Sequence, residues 1–350
     1  MPGSKQKKGA QAPFSSPEMR PHHSLKKKSR RFFFLLALFI PTFSVIGFLT
    51  IYPTIRGFIL SFQNYTVFNI RRIRYIGLQN YERVLQSGDF GLILWNTFVW
   101  IFFSVLFQML LGLGLALLMR KPFKGRGIYA GFVFYPWALS GFAIGLIWRW
   151  LFDGSFGIIN DILIRLGIIE RGISFFSDPV LAMVAVITVN IWYGFPFFAI
   201  MILAALQGIP QDVYESAWID GADPINSFFE VTLPFIRPVL VNTVLLRVIW
   251  VMNYPDIIYA MTRGGPAKAT EILSVNMINI VFYENNNFSK ASAVGVIIIS
   301  ILMVFTTFTS VSYTHLRAHE TVLDLVCRLL LEKKKLTTII QILYIVTHHY

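Results

Sequence analysis

Six stretches of this chain, near 32–54, 93–119, 128–150, 180–206, 238–261 and 291–312, are predominantly apolar and long enough to be read as bilayer spans. A run of about 20 such residues matches the hydrocarbon thickness of a membrane, and nothing else in the chain limits its fold so tightly. Composition agrees: among 350 residues 14% are charged and 33 are Phe, more apolar surface than a water-soluble domain could hide. The expected fold class is all-α, a polytopic membrane protein with six transmembrane helices.

Basic residues orient those helices. Residues 1–31 carry nine Lys and Arg and read as a disordered cytoplasmic tail, with Lys26, Lys27, Lys28, Arg30 and Arg31 directly before the first span. That span is too long for a signal peptide and lacks a small-residue cleavage pattern after it, so it is expected to stay as an anchor. The connection at 120–127 carries Arg120, Lys121, Lys124 and Arg126 and falls on the same, cytoplasmic side two spans later. Arg71, Arg72, Arg74 and Arg83 sit in the first outer loop against the trend. Next to a membrane helix the basic tail is explained by topology and attraction to anionic lipid, not by nucleic acid.

On this topology the loop 207–237 is cytoplasmic, yet Glu215, Asp220, Asp223 and Glu230 crowd into it. Its turn chemistry is that of a folded segment. Gln211 to Asp220 can form a short helix closing at Gly221, after which Asp223 caps and Pro224 starts a second. By i, i+4 spacing Val213, Ala217, Tyr214 and Trp218 are expected to share a face, leaving Glu215 and Asp220 elsewhere. An apolar face beside acids suits docking to a protein. A helix lying on the membrane is the other reading, though such helices carry Lys and Arg on the polar side.

The pattern Glu215-Ser216-Ala217, Asp220-Gly221-Ala222 and Thr232-Leu233-Pro234 resembles the "EAA" loop of permease subunits of binding-protein-dependent ABC importers. Gly77-Leu78-Gln79-Asn80-Tyr81, the approach Leu203 to Pro210, and Thr262-Arg263-Gly264-Gly265-Pro266 resemble motifs of the carbohydrate-type branch, related to maltose and glycerol phosphate permeases. The resemblance covers about residues 32–310 and makes that stretch the permease domain. It departs from the pattern at Ser216, where the family has Ala, and in having no extra helices before the six-helix core. It implies that the loop 212–231 is the coupling element, seated in a cleft of a separate ATPase. Glu215 would make polar contact, Gly221 the turn and Pro234 the helix re-entry, with Ala217, Trp218 and Asp220 completing the coupling set. Implied partners are a second permease, two ABC ATPases carrying ATP and magnesium, an extracytoplasmic substrate-binding protein and membrane lipid, at a bacterial inner membrane. No cofactor is expected on this chain.

Polar groups inside spans are costly and therefore informative. In the fourth, Asn190, Gly194 and Phe197 recur at i, i+4, i+7 with Tyr193 adjacent, an amide, a gap and an aromatic platform of the kind sugars need. The resemblance also places substrate contacts on this helix. The same residues could instead serve helix packing, Asn190 by an interhelical bond and Gly194 by close approach. In the fifth, Arg247 shares a face with Val251 and Tyr254 and must face the interior. Either it meets substrate, which would favour an acidic or phosphorylated sugar, or it pairs with a carboxylate or a helix end in the partner permease. Pro255 is expected to kink this span, freeing carbonyls, and Asp256 to lie at the interface.

Catalytic and metal constellations are not evident. All six His lie in terminal segments, Cys327 is alone, and no G-x-x-x-x-G-K-[ST] sequence offers a phosphate-binding loop, so energy must come from another subunit. Residues 311–350 read as an artefactual extension: SVSYTHLRAHETVLDLVCRLLLEKKK resembles translated sequencing adapter, although Val322, Leu325, Val326, Leu329 and Leu330 would share a helical face. The functional expectation is an ABC sugar-importer permease, a transport subunit and not an enzyme. The alternatives are a secondary transporter, or a membrane-embedded assembly factor without ATPase partners.

Overall fold

A computed structural model describes residues 23–309 apart from 122 and 285. The tail 1–22 and the adapter-like stretch from 311 lie outside the described residues. Among the described residues five helices are long and apolar enough to cross a membrane: Phe33–Leu60, Phe90–Met119, Pro179–Gln207, Pro224–Met261 and Phe288–Thr309. These are the first, second, fourth, fifth and sixth spans. The chain divides into two compact units at Arg56 and Gly57. Within the first unit, large apolar side chains such as Phe34, Phe43 and Phe48 are exposed around the helix, the pattern of a segment made for lipid or another apolar surface.

The third span corrects the sequence expectation of one helix over 128–150. It is a pair, Arg126–Ala138 and Gly141–Leu151, bent by 98°. Pro136 sits in a 3-10 turn, Tyr135–Ala138, and Leu139 is extended at φ −90°, ψ 156°. A proline has no N–H to continue an α register, so the helix tightens and stops. The bent pair nevertheless crosses the membrane. Arg120, at the end of the second span, stacks 4.1 Å over the ring of Tyr214 in the loop after the fourth, which puts those two points on one membrane face. The fourth span alone would separate them, so the pair must supply a further crossing.

At the opposite face, Asn96 Nδ2 donates to the carbonyl of Lys268 at 2.9 Å, joining the start of the second span to the loop that follows the fifth. Two of the recognised motifs build this end. Asn80 Nδ2 donates to the carbonyls of Ser61 and Gln63, and so braces a two-stranded ribbon, Gln63–Asn64 against Arg74–Tyr75. In the turn beginning at Thr262, Thr262 and Thr270 share a 2.6 Å hydroxyl bond, and Thr270 also donates to the carbonyl of Gly265. Lys268 donates to Asp89 at 2.6 Å, and that bond raises its pKa. The stabilisation is therefore fully present below the ordinary lysine value and is lost only as pH rises past the raised one, so the link holds throughout the physiological range.

The core fills the junction of the second, fourth and fifth spans, with Trp100 and Ala116 packed among Phe198, Ile202, Ile236 and Val251. The fifth span is interrupted twice. A π-turn over Phe228–Thr232 precedes the helix from Leu233, and Pro234 and Pro238 lie just beyond it. Prolines in a helix cannot donate and crowd the preceding turn, which a π-turn relieves. Pro234 is thus not a fresh re-entry, as the sequence suggested, but lies inside a span already helical from Pro224. Near the other end the helix stops at Met252 and resumes at Asp256.

The second interruption frees a carbonyl, as Pro255 led us to expect, but it is claimed at once. Pro255 has no N–H for the Val251 carbonyl four residues back, and the fully buried indole of Trp100 donates to it at 3.1 Å. Trp100→Phe keeps most of the apolar volume and orphans that acceptor. It should lower stability by about 1–3 kcal/mol, read as an earlier unfolding midpoint in detergent.

Candidate functional site

A cavity of about 310 Å³ is lined by Trp137, Asn190, Tyr193, Arg247, Trp250, Val251, Asn253 and Tyr254. Two of the backbone irregularities deliver part of it. The turn in the third span presents Trp137, the interruption before Pro255 presents Asn253 and Tyr254, and the intact helices present the rest. Irregular backbone at membrane depth is tolerated where it is buried in protein or lines a cavity. The break and the cavity wall are also joined directly, since Gly141 N–H donates to the Tyr254 hydroxyl at 3.2 Å.

Five of the seven residues singled out for a substrate path line this cavity: Asn190, Tyr193, Arg247, Val251 and Tyr254. Phe197 lies buried behind it, its ring 5.0 Å from Trp250 and 5.7 Å from Trp137, so it backs the wall instead of forming it. Gly194 is not an open gap. A Cβ there would collide with the guanidinium of Arg247 and the amide of Gln108, so hydrogen at this position is what lets those two groups pass.

Arg247 is only 4% exposed. Its Nε donates to Gln108 Oε1 at 2.6 Å, and Gln108 Nε2 donates to the Asn190 carbonyl at 2.8 Å. Among the described residues its partner is therefore a neutral amide of the same chain. Because the amide nitrogen of Gln108 is already engaged, its oxygen is committed to Arg247. The Asn190 side chain is 1% exposed and its Nδ2 has no hydrogen-bond partner. Tyr193 and Tyr254 stack with ring centres 6.1 Å apart and planes 7° from parallel. The wall thus combines flat apolar faces with unspent donors.

A larger groove of about 600 Å³ among the second, fifth and sixth spans has apolar lining apart from Thr97. The Thr97 hydroxyl donates to the Ile93 carbonyl and accepts from Leu273 N–H, so the groove offers no free polar chemistry.

The acidic loop forms the helix Gln211–Ile219, then Gly221 in the left-handed region at φ +86°, a conformation glycine adopts without Cβ strain. Asp223 Oδ1 accepts from Asn226 N–H at 2.6 Å and caps the helix that Pro224 begins. Glu215 and Asp220 are exposed and Ala217 is half-buried. The shared face expected for Tyr214 and Trp218 is corrected. Tyr214 turns inward, under Arg120 and with its hydroxyl 3.0 Å from that of Thr232. Trp218 points out, 76% exposed beside Ile219 at 87%, and Ile225 and Phe229 of the same loop are exposed as well. The difference arises because Tyr214 has two partners on the spans and Trp218 has none.

Residues 108–320 match the family described as binding-protein-dependent transport system inner membrane component. The chain belongs to that family, and is thus a multi-pass inner-membrane permease component of an ABC importer and not an enzyme. It is 33% identical over 282 residues, 81% of this chain and 93% of the other, to the trehalose/maltose transport system permease protein MalF of Thermococcus litoralis. It is 35% identical over 258 residues, 73% of this chain and 83% of the other, to the sulfoquinovosyl glycerol transport system permease protein SmoG of Agrobacterium fabrum. Its fold matches a chain of a bacterial ABC transporter involved in import of the acidic polysaccharide alginate, with a TM-score of 0.70 at 23% identity over 82% of this chain and 96% of that one.

Gln108, Trp137 and Trp250 escaped the sequence reading. Gln108 could have been found, because an amide midway along a 30-residue apolar helix, well inside its only other amide, Asn96, is as informative as Arg247. The tryptophans could not, since nothing local separates a cavity aromatic from one facing lipid.

Proposed function

We propose that this chain is the permease subunit of a sugar importer, and that its cavity forms part of the substrate path. The observation that carries the reading is the pairing of stacked aromatic faces with the unspent donors of Asn190 and Arg247 at membrane depth. Sugars present an apolar ring face and a rim of hydroxyls, which such a wall matches. The names of relatives, trehalose/maltose and sulfoquinovosyl glycerol permeases, support the carbohydrate class.

The exposed apolar side chains of this loop, Trp218, Ile219, Ile225 and Phe229, with the acids Glu215, Asp220 and Glu230 between them in sequence, would seat in an ATPase cleft, where aromatic residues are enriched among the contacts that carry binding energy. A second permease would complete the path, two ATPases would carry ATP and magnesium, and a binding protein would deliver substrate from outside. The related alginate importer has been solved together with its substrate-bound periplasmic protein, which supports the last of these. The basic connection at 120–127 supports a cytoplasmic position for the loop and the N-terminus.

Coupling follows from two clamps on the same pair of helices. At the loop, Tyr214 holds Arg120 of the second span and Thr232 at the base of the fifth. Beside the cavity, Gln108 of the second span holds Arg247 of the fifth. Closure of the ATPases moves the first clamp, and the rigid helices carry that displacement to the second, reshaping the cavity. Copurification tests the assembly. Expressed with the products of neighbouring genes and extracted in mild detergent, the chain should bring down an ATPase and a second permease, and Glu215→Lys should release the ATPase. A well-folded chain recovered alone would overturn the reading.

A further inference from the structure

Among the described residues Arg247 has no counter-ion. The ion pairs among the described residues are Arg165 with Asp161, Lys268 with Asp89 and Lys290 with Glu284, none of them at the cavity. Its one hydrogen bond is to an uncharged amide that cannot neutralise it. Asp256 lies near the cavity, half-buried at the start of the resumed helix, without pairing to Arg247. A buried cation left unpaired carries a large desolvation cost, and an apolar or amide side chain would pack against Gln108 without it. Charge kept at such a cost points to an anion that arrives from outside the fold.

From this we infer that the cavity takes an acidic sugar unit, one bearing a carboxylate or a similar planar oxyanion, with Arg247 as its counter-ion; the inference rests on the cavity being a substrate site. The guanidinium carries five N–H donors and spends one on Gln108, which leaves both Nη nitrogens of a residue that lines the cavity. Asn190 adds a second donor, buried and unpartnered, on the same wall. Trp137, Trp250 and Tyr193 provide faces for the ring. At about 310 Å³ the cavity lies at the small end of the range for ligand sites, about 300–1,000 Å³, and so fits one sugar unit at a time. A neutral sugar would use the aromatic faces and leave the charge unanswered.

The assembled transporter in detergent, titrated with glucuronate and galacturonate and with their neutral parents glucose and galactose, tests this through the fluorescence of Trp137 and Trp250. At least one acid should bind about tenfold or more tighter than its parent. Arg247→Gln should bring the acid down to the level of the parent. Gln108→Glu should do the same while keeping the arginine, because it sets a carboxylate against the guanidinium, and it serves if Arg247→Gln does not fold. Equal binding of acid and parent in the unaltered protein, with both variants leaving the ratio at one, would overturn the acidic class and leave the cavity a neutral-sugar site. No response to any of the four would overturn the inference and the cavity assignment together.

Discussion

Tyr214→Ala should cut substrate-stimulated ATP hydrolysis about tenfold or more while the permease still inserts and still retains its ATPases. Tenfold corresponds to about 1.4 kcal/mol. The two interactions that alanine removes are of that order: a cation–π pair is worth about 0.5–2 kcal/mol and a hydroxyl bond about 0.5–1.5 kcal/mol. Both bind the helix Gln211–Ile219 to the spans and neither lies on its exposed side, because Tyr214 turns inward over Thr232 and beneath Arg120. Binding and coupling should therefore separate. Tyr214→Phe keeps the ring under Arg120 and gives up only the hydroxyl, so it should fall between the two. Arg120→Ala should reproduce most of the Tyr214→Ala effect, and the double variant should add little, since both remove one shared interaction. Retained coupling in Tyr214→Ala would eliminate this clamp from the mechanism. Trp218→Ala should behave oppositely, releasing the ATPase outright, because its side chain is largely exposed and makes no hydrogen bond or ring contact to the described spans.

That contrast marks how far the sequence could be read. The spans were legible because their signal is summed over many residues, and the helix Gln211–Ile219 because its limits are local: Pro210, Gly221, Asp223 and Pro224 each set their own backbone. The split between Tyr214 and Trp218 was not. Helical spacing puts them on one side, and only the positions of Arg120 and Thr232, far away in the chain, decide which turns in. The same distinction explains the third span. Hydropathy averages across Pro136 and reports one continuous run, whereas the bend depends on one missing N–H and on Tyr254 receiving Gly141 at the far side. Arg247 was found because a lone cation in a span stands out, but the Gln108 amide that holds it within the chain was not, since charge directs attention to anions. In each case the residue type was visible and the partner was not.

Gly194→Val should nearly abolish transport, by two orders of magnitude or more, although the substituted residue does not line the cavity. Helices tolerate valine, so local propensity offers no reason for such a loss. The reason lies in what occupies the space over Gly194: the Arg247 guanidinium and the Gln108 amide, both side-chain ends that can move, but only by giving up the bond between them. Overpacking a close helix contact costs about 1–3 kcal/mol. Parting a buried arginine from its one hydrogen-bond partner adds about 1.5–3 kcal/mol, and it releases the clamp between the second and fifth spans beside the cavity. Transport loss should therefore exceed the loss of thermal stability, whereas Trp100→Phe, which acts outside this network, should lower stability with a smaller effect on transport. Shortening the opposing side chain distinguishes the causes. If volume alone were responsible, Gln108→Ala would rescue Gly194→Val, because it removes one of the two groups over Gly194 and leaves room for the other to move aside. If the clamp matters, the double variant should recover only the overpacking part of the lost stability and remain inactive, since Arg247 can shift into the room Gln108 leaves but its link to the second span is still missing.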